Sequence, residues 1–280
     1  MTKLDDYAVV GNPVAHSQSP FIHAEFARQT GEPVRYERLP CDLDAFARTV
    51  RAFAGSGACG CNVTMPFKFE AFDLAQHKTA RADLARACNI LRFDAEGWFG
   101  DNTDGAGLVN DLERNAGVTL RGTRILIIGA GGGAAGALGP LLGAGPEELV
   151  VVNRTVARAE DLVARHRQIG ATLAPGALRA APLEACGTGF DIVINASASS
   201  VSGAPVPVAG TALRPGALAL DMMYGPPARG FLEWAEARGA IGRDGLGMLV
   251  EQAAEAFLFW RGVRPETAPV LAALRHRLGA

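Results

Sequence analysis

The sequence contains no long apolar run. Hydrophobic residues make up 49% of the 280, yet no stretch reaches the roughly 18 continuous apolar residues of a membrane span. Charge of one sign is also missing. A formal balance of −2 gives neither nucleic acid nor a membrane surface a reason to bind. The first residues carry Asp5 and Asp6 and lack the basic start and apolar core of a signal peptide, which predicts a cytoplasmic protein. Cysteines are few and odd in number, five in all, so free thiols are expected. Cys59 and Cys61 have no second Cys/His pair at ligand spacing and are read as part of a buried strand, with no metal. Internal repeats and low-complexity linkers are absent too. The length predicts two domains, each able to bury its own core.

The first hundred residues alternate between strand and helix signals. Strands are predicted over Asp6–Gly11, Val34–Leu39 and Ala58–Val63, then around Ile90–Phe93 and Trp98–Gly100. Helical spacing covers Phe21–Thr30, Asp42–Ala54 and the sequence from Glu70 to Ala87, with a loop over Asn12–Pro20. Gly105–Asn115 reads as a helix joining two halves. Beyond it lie four apolar runs, Ile125–Ile128, Leu149–Val152, Asp191–Ile194 and Ala217–Leu220, separated by helical segments. Such runs imply a parallel sheet covered on both faces. Two helical segments, Leu246–Arg261 and Glu266–Leu278, close the chain.

The first of these runs meets Gly129-Ala130-Gly131-Gly132-Gly133 without a gap, and a helix of small residues, Ala134–Leu142, follows. In that setting Gly129 permits a tight turn, Gly131 lets the backbone approach a pyrophosphate, and Ala134 lets the helix lie close on the sheet. The helix start then offers free N–H groups to phosphate. The second run ends on Asn153-Arg154-Thr155, with Arg158 a turn later. An NAD site places a carboxylate there, for the ribose 2′-hydroxyl. Two guanidiniums instead suit a 2′-phosphate, so NADP(H) is the expected cofactor.

A dinucleotide that delivers hydride to a ketone needs a partner that supplies the proton. Polar clusters in the first half stand at element ends: Ser17-Gln18-Ser19, the run from Asn62 through Thr64 to Lys68, and Asp101 to Asp104. Pro66 and Phe67 pin Lys68 just past a strand, where functional groups collect. Asp104 would favour its charged ammonium, which suits proton donation, and alcohol oxidation should then prefer higher pH. Ser17, Ser19, Thr64 and Asn89 would hydrogen-bond a carboxylate and hydroxyls.

Seven segments resemble the signatures of shikimate dehydrogenases. They are Gly11-Asn12-Pro13-x-x-His16-Ser17-x-Ser19-Pro20, Asn62-Val63-Thr64-x-Pro66-Phe67-Lys68, Asp101-Asn102-Thr103-Asp104-Gly105, Gly129-Ala130-Gly131-Gly132, Asn153-Arg154-Thr155, Asp221-Met222-x-Tyr224 and Asp244-Gly245-Leu246-Gly247-Met248-Leu249-Val250-x-Gln252. They run in order along nearly the whole chain. The resemblance implies NADPH-dependent, reversible reduction of 3-dehydroshikimate to shikimate in aromatic amino-acid biosynthesis. It implies Lys68 as the acid/base residue, with Asp104 as its partner and a substrate ligand. Ser17, Ser19, Thr64, Asn89, Tyr224 and Gln252 would bind substrate, and Met222 and Gly245 would lie near the nicotinamide. The fold implied is α/β in two domains. Residues 1–104 with 246–280 form the substrate-binding domain, and 105–245 form a doubly wound, Rossmann-type NADP domain.

Two departures stand out. Ile90 follows Asn89 where the family usually has Thr, removing a polar contact, and Gln18 replaces a common Lys, softening the field at the substrate carboxylate. Two rival readings are a quinate/shikimate dehydrogenase with broader substrate choice and NAD use, and a non-catalytic regulator sensing NADPH or a metabolite. Asn153-Arg154 argues against the first, and retention of both Lys68 and Asp104 against the second. A small molecule is the expected partner, bound by a monomer or homodimer.

Overall fold

A computed structural model describes residues 3–170 and 173–279, which form two compact units, 1–107 with 249–279 and 108–248. The sheet of the first unit has six strands: β1 (Asp5–Gly11), β2 (Val34–Pro40), β3 (Gly60–Val63), β4 (His77–Lys78), β5 (Ile90–Asp94) and β6 (Gly97–Asp101). They lie in the order β2-β1-β3-β5-β6-β4. β1 runs parallel to β2 and β3, whereas β5 is antiparallel to β3 and β6.

Alternation along the strands separates two apolar layers. On one side Val10, Cys61, Val63 and Leu91 meet Phe46, Val50 and Phe67 from the helices Phe46–Gly55 and Lys68–Leu74 and the loop before the latter. On the other side the helix Ser19–Thr30 brings Ile22, His23 and Phe26 against Phe257 and Trp260 of the C-terminal segment. Each large apolar side chain removed from water in this way contributes roughly 1.5–3 kcal/mol.

Some expected bounds shift. The segment from Glu70 to Ala87 is not one helix. It divides into the helix that ends at Leu74, strand β4, and the helix Ala80–Ala85. β4 pairs with β6 through only two residues, too few to leave a periodic trace, and Thr79 then starts a new helix by accepting the Ala82 N–H. The helix expected from Asp42 starts at Phe46, because Asp42–Ala45 closes as a turn in which the Ala45 N–H donates to the Asp42 carbonyl.

The second unit is a wholly parallel sheet of β7 (Arg124–Ile128), β8 (Glu148–Val152), β9 (Leu178–Ala181), β10 (Phe190–Asn195), β11 (Leu213–Asp221) and β12 (Ile241–Arg243). Its order β9-β8-β7-β10-β11-β12 is the doubly wound 3-2-1-4-5-6 arrangement, which reverses between β7 and β10. The four apolar runs are its central strands. β9 and β12 were not foreseen, because Leu178-Arg179-Ala180-Ala181 and Ile241-Gly242-Arg243 are short edge strands without a buried apolar run. The expected helix Gly105–Asn115 runs as Asp104–Asn110 and continues into a π-helical turn, Asp111–Asn115, where buried Asp111 accepts both guanidinium arms of Arg243.

Candidate active site

Lys68 opens a helix directly after the loop Thr64–Phe67, which leaves the end of β3. The loop is held to β1 by the Thr64 N–H donating to the Val10 carbonyl, and closes on itself through Phe67 N–H and the Thr64 carbonyl. Lys68 Nζ donates to Asp104 Oδ2 at 2.5 Å, with the two side chains 15% and 6% exposed. The other Asp104 oxygen accepts from Asn89 Nδ2 at 3.0 Å. Each carboxylate oxygen therefore has one partner and keeps a lone pair for another, and the lysine proton faces a fixed anion.

Asn89 cannot turn. Its amide oxygen accepts the Thr103 N–H at 2.9 Å, which directs its nitrogen to Asp104 and to Gln252 Oε1 at 3.2 Å. Gln252 is locked in turn by donating to the Leu249 carbonyl. The segment Asp101–Asp104 is tied down just as firmly. Buried Asp101 accepts from Arg81, Thr79 and the Asn102 N–H, while Asn102 donates to Ala87 and accepts the Asp104 N–H. Such preorganisation is what a proton-transfer pair needs, since reorientation would otherwise add to the barrier.

Ser17 and Ser19 form the second cluster, with Ser17 donating to Ser19 across 3.2 Å at the start of the helix Ser19–Thr30. Two residues join it to the first: Asn62, which the sequence showed only as part of a polar cluster, and Tyr36, which it missed. Tyr36 of β2 donates to Asn62 Oδ1 at 2.7 Å, and Asn62 Nδ2 donates to the Asn89 carbonyl at 3.2 Å. Ser19 hydrogen-bonds the same Tyr36 hydroxyl, a lesser effect than the burial that pushes the phenol pKa well above its ordinary value. Asn62 left a signal, a polar side chain between apolar Cys61 and Val63 in a buried strand. Tyr36 left none. Ile90 is wholly buried in β5, paired with Asn62 and Asp101.

In the second unit Gly129 has φ +112°, and a Cβ there would press on Ala196 and Ser197 beyond β10, so only glycine serves this turn. Around Gly131, by contrast, a Cβ would meet no atom within 4 Å, leaving open space at the start of the helix Gly132–Gly143. Met222 lies against Gly133, and Gly245 abuts the Met222 carbonyl so closely that a side chain is excluded. Met222, backed by Gly245, thus lies at the first turn of this helix, just past Ala130 and Gly132. Tyr224 belongs to this unit, two residues on.

Buried Asp221 braces that corner. It accepts from Asn195, Ser200 and the Met223 N–H, while burial pushes its carboxyl up. Past β8, Asn153 donates to the Thr155 carbonyl, turning the chain into the helix Val156–Arg165. Arg154 and Arg158 are exposed, and among the described residues no carboxylate pairs with either. Open backbone at a helix start and two uncommitted guanidiniums at the next strand end fit a phosphorylated dinucleotide.

Comparison with known proteins agrees with this chemistry. The profile of the shikimate dehydrogenase substrate binding domain matches residues 9–91, that of shikimate/quinate 5-dehydrogenase 111–202, and that of the shikimate 5'-dehydrogenase C-terminal domain 245–275. The shikimate dehydrogenase (NADP(+)) of Methylibium petroleiphilum is 64% identical over 277 residues, covering 97% of this chain and 94% of the relative. That of an Acidovorax species is 55% identical, covering 99% and 98%. An Ael1 enzyme from Pseudomonas putida superposes with a TM-score of 0.86 at 43% identity, covering 96% and 98%. The Thermus thermophilus shikimate 5-dehydrogenase in complex with NADP(H) and shikimate gives 0.81 at 30%, covering 98% and 100%. Sequence likeness over almost the full length and a shared fold lead to one conclusion: the chain belongs to the shikimate dehydrogenase family.

Proposed function

We propose that this chain is an NADP-dependent shikimate dehydrogenase, interconverting 3-dehydroshikimate and shikimate on the route to chorismate and the aromatic amino acids. The observation that carries the reading is the Lys68–Asp104 pair, set within bonds from Asn89 and Gln252. A half-buried ammonium held by a carboxylate is suited to protonating an alkoxide as it forms. The relatives that bear the NADP-dependent name support it.

When bound to the second unit, NADP(H) would supply the hydride for reduction and the hydride acceptor for the reverse reaction. Lys68 donates the proton to the ketone oxygen, and in the reverse reaction takes it from the hydroxyl. Asp104 holds the lysine in place and accepts from a substrate hydroxyl, as Asn89 and Gln252 orient its neighbours. Ser17, Ser19 and Thr64 take the carboxylate end, and Tyr224 is assigned to substrate binding as in the family signature. Gly129–Gly133 would receive the pyrophosphate, Asn153, Arg154, Thr155 and Arg158 the 2′-phosphorylated ribose, and Met222 with Gly245 the nicotinamide.

In this reading residues 1–104 with 246–280 form the substrate domain and 105–245 the NADP domain, in a cytoplasmic monomer or homodimer without nucleic-acid partners. The test is turnover of shikimate with NADP by the purified chain, followed by absorbance of the reduced cofactor. Robust oxidation with NADP, and far less with NAD or quinate, is the expected result. Preference for quinate with NAD would replace this reading with the rival dehydrogenase, and no turnover at all would end it.

A further inference from the structure

A carboxylate placed at Ser17 and Ser19 would meet two hydroxyls at the start of a 12-residue helix, whose first N–H already donates to Ser17 Oγ and whose second residue is Pro20, but no cation from residues 17–19. Gln18, between the serines, is neutral and turns its amide back to the His16 carbonyl at 3.1 Å. A positive charge nevertheless stands there. Arg38 of β2 donates from Nε and Nη2 to the Ser17 carbonyl, at 3.0 and 2.7 Å. Among the described residues no carboxylate neutralises this guanidinium, so its full charge stays beside the serine pair.

The strand period explains why β2 can do this. Residues two apart share a face, so Tyr36 and Arg38 both point toward the helix that Ser19 begins. Tyr36 reaches Asn62 and Ser19, and Arg38 grips Ser17. One strand therefore supports both serines, one through a phenol and one through a guanidinium.

We propose that Arg38 is a specificity-determining residue: held on the Ser17 backbone, it supplies the positive field that selects a substrate carrying a carboxylate at the Ser17–Ser19 end. This rests on the proposed dehydrogenase function. The guanidinium is exposed, so the field is moderated by solvent and salt and acts on binding rather than on the chemical step.

The experiment compares shikimate with its methyl ester, which lacks the negative charge, in the wild type, Arg38→Gln and Arg38→Lys. For shikimate, Arg38→Gln is expected to raise KM about three- to fivefold at low ionic strength, the upper range for an exposed charge pair, with kcat nearly unchanged. The rise should fade as salt is added. For the ester the same variant should leave kcat/KM unaltered, and Arg38→Lys should keep the preference for the acid. Equal losses for acid and ester would mean that Arg38 only shapes the loop and would overturn the proposal, as would no loss for either. Failure of the wild type to oxidise shikimate would instead overturn the dehydrogenase reading, and this inference with it.

Discussion

His23 provides a stability test whose size follows from its surroundings. Its ring is wholly buried, stacked 4.1 Å from Tyr36 and flanked by Phe26, Phe257 and Trp260, and neither ring nitrogen makes a hydrogen bond. Burial lowers its pKa from 6.5 to about 3, against a smaller opposing effect of the Asn62 side chain. The folded protein therefore refuses a proton that the unfolded chain accepts. Stability from this residue is complete above pH 6.5 and is lost as pH falls toward 3.

At pH 5 the unfolded imidazole is almost fully charged and the folded one almost fully neutral, so the loss is about 2 kcal/mol. That figure is governed by the unfolded value and hardly changes if the folded pKa is a unit higher. Urea unfolding at pH 7.5 and pH 5, in wild type and His23→Phe, measures it. The added ring volume costs about 1–3 kcal/mol at both pH values and cancels in the difference. The variant should lose about 2 kcal/mol less on acidification, keeping a residual slope from His166, whose pKa is also lowered by burial. Identical acid sensitivity in the two proteins would refute the reasoning.

Other changes address the chemistry. Lys68→Ala should lower turnover roughly 10²–10⁴-fold with KM for NADP little altered, as expected for a positioned acid/base; turnover within about threefold of wild type would remove it from the mechanism. Asp104→Asn should depress kcat and raise KM for shikimate together, and an unchanged kcat/KM would dissolve the pair. Arg154→Ala should narrow the NADP/NAD ratio of kcat/KM by about ten- to a hundredfold, less so at high salt. Equal losses with both cofactors would withdraw the 2′-phosphate assignment.

What the sequence revealed, and what it hid, follows from how each element is stabilised. Strands β7, β8, β10 and β11 are buried on both faces and read as apolar runs, so the parallel sheet was legible. Edge strands such as β4 and β9 owe their form to a neighbour, and nothing local announces them. Lys68 and Asp104 were visible because each follows a strand end with a distinctive turn. The Asn89 link to Gln252 spans 163 residues, and only the family likeness anticipated it. Arg38 looked like any charge on an exposed strand, since its partner is a carbonyl, which has no signature in side-chain type.

Because the first unit takes in residues 249–279, its assembly is set by the order of synthesis. The ribosome releases the sheet of the first unit early, its last strand ending at Asp101, yet Phe257 and Trp260, which cover Tyr7, His23 and Phe26, come more than 150 residues later. At about 5–20 residues per second that interval is roughly 8–30 s, ample for the second unit, whose residues are consecutive, to fold first. Through that time one aromatic face of the nascent sheet stays bare and sticky. The nascent protein thus has a window in which a chaperone would find a binding surface that the finished protein no longer offers.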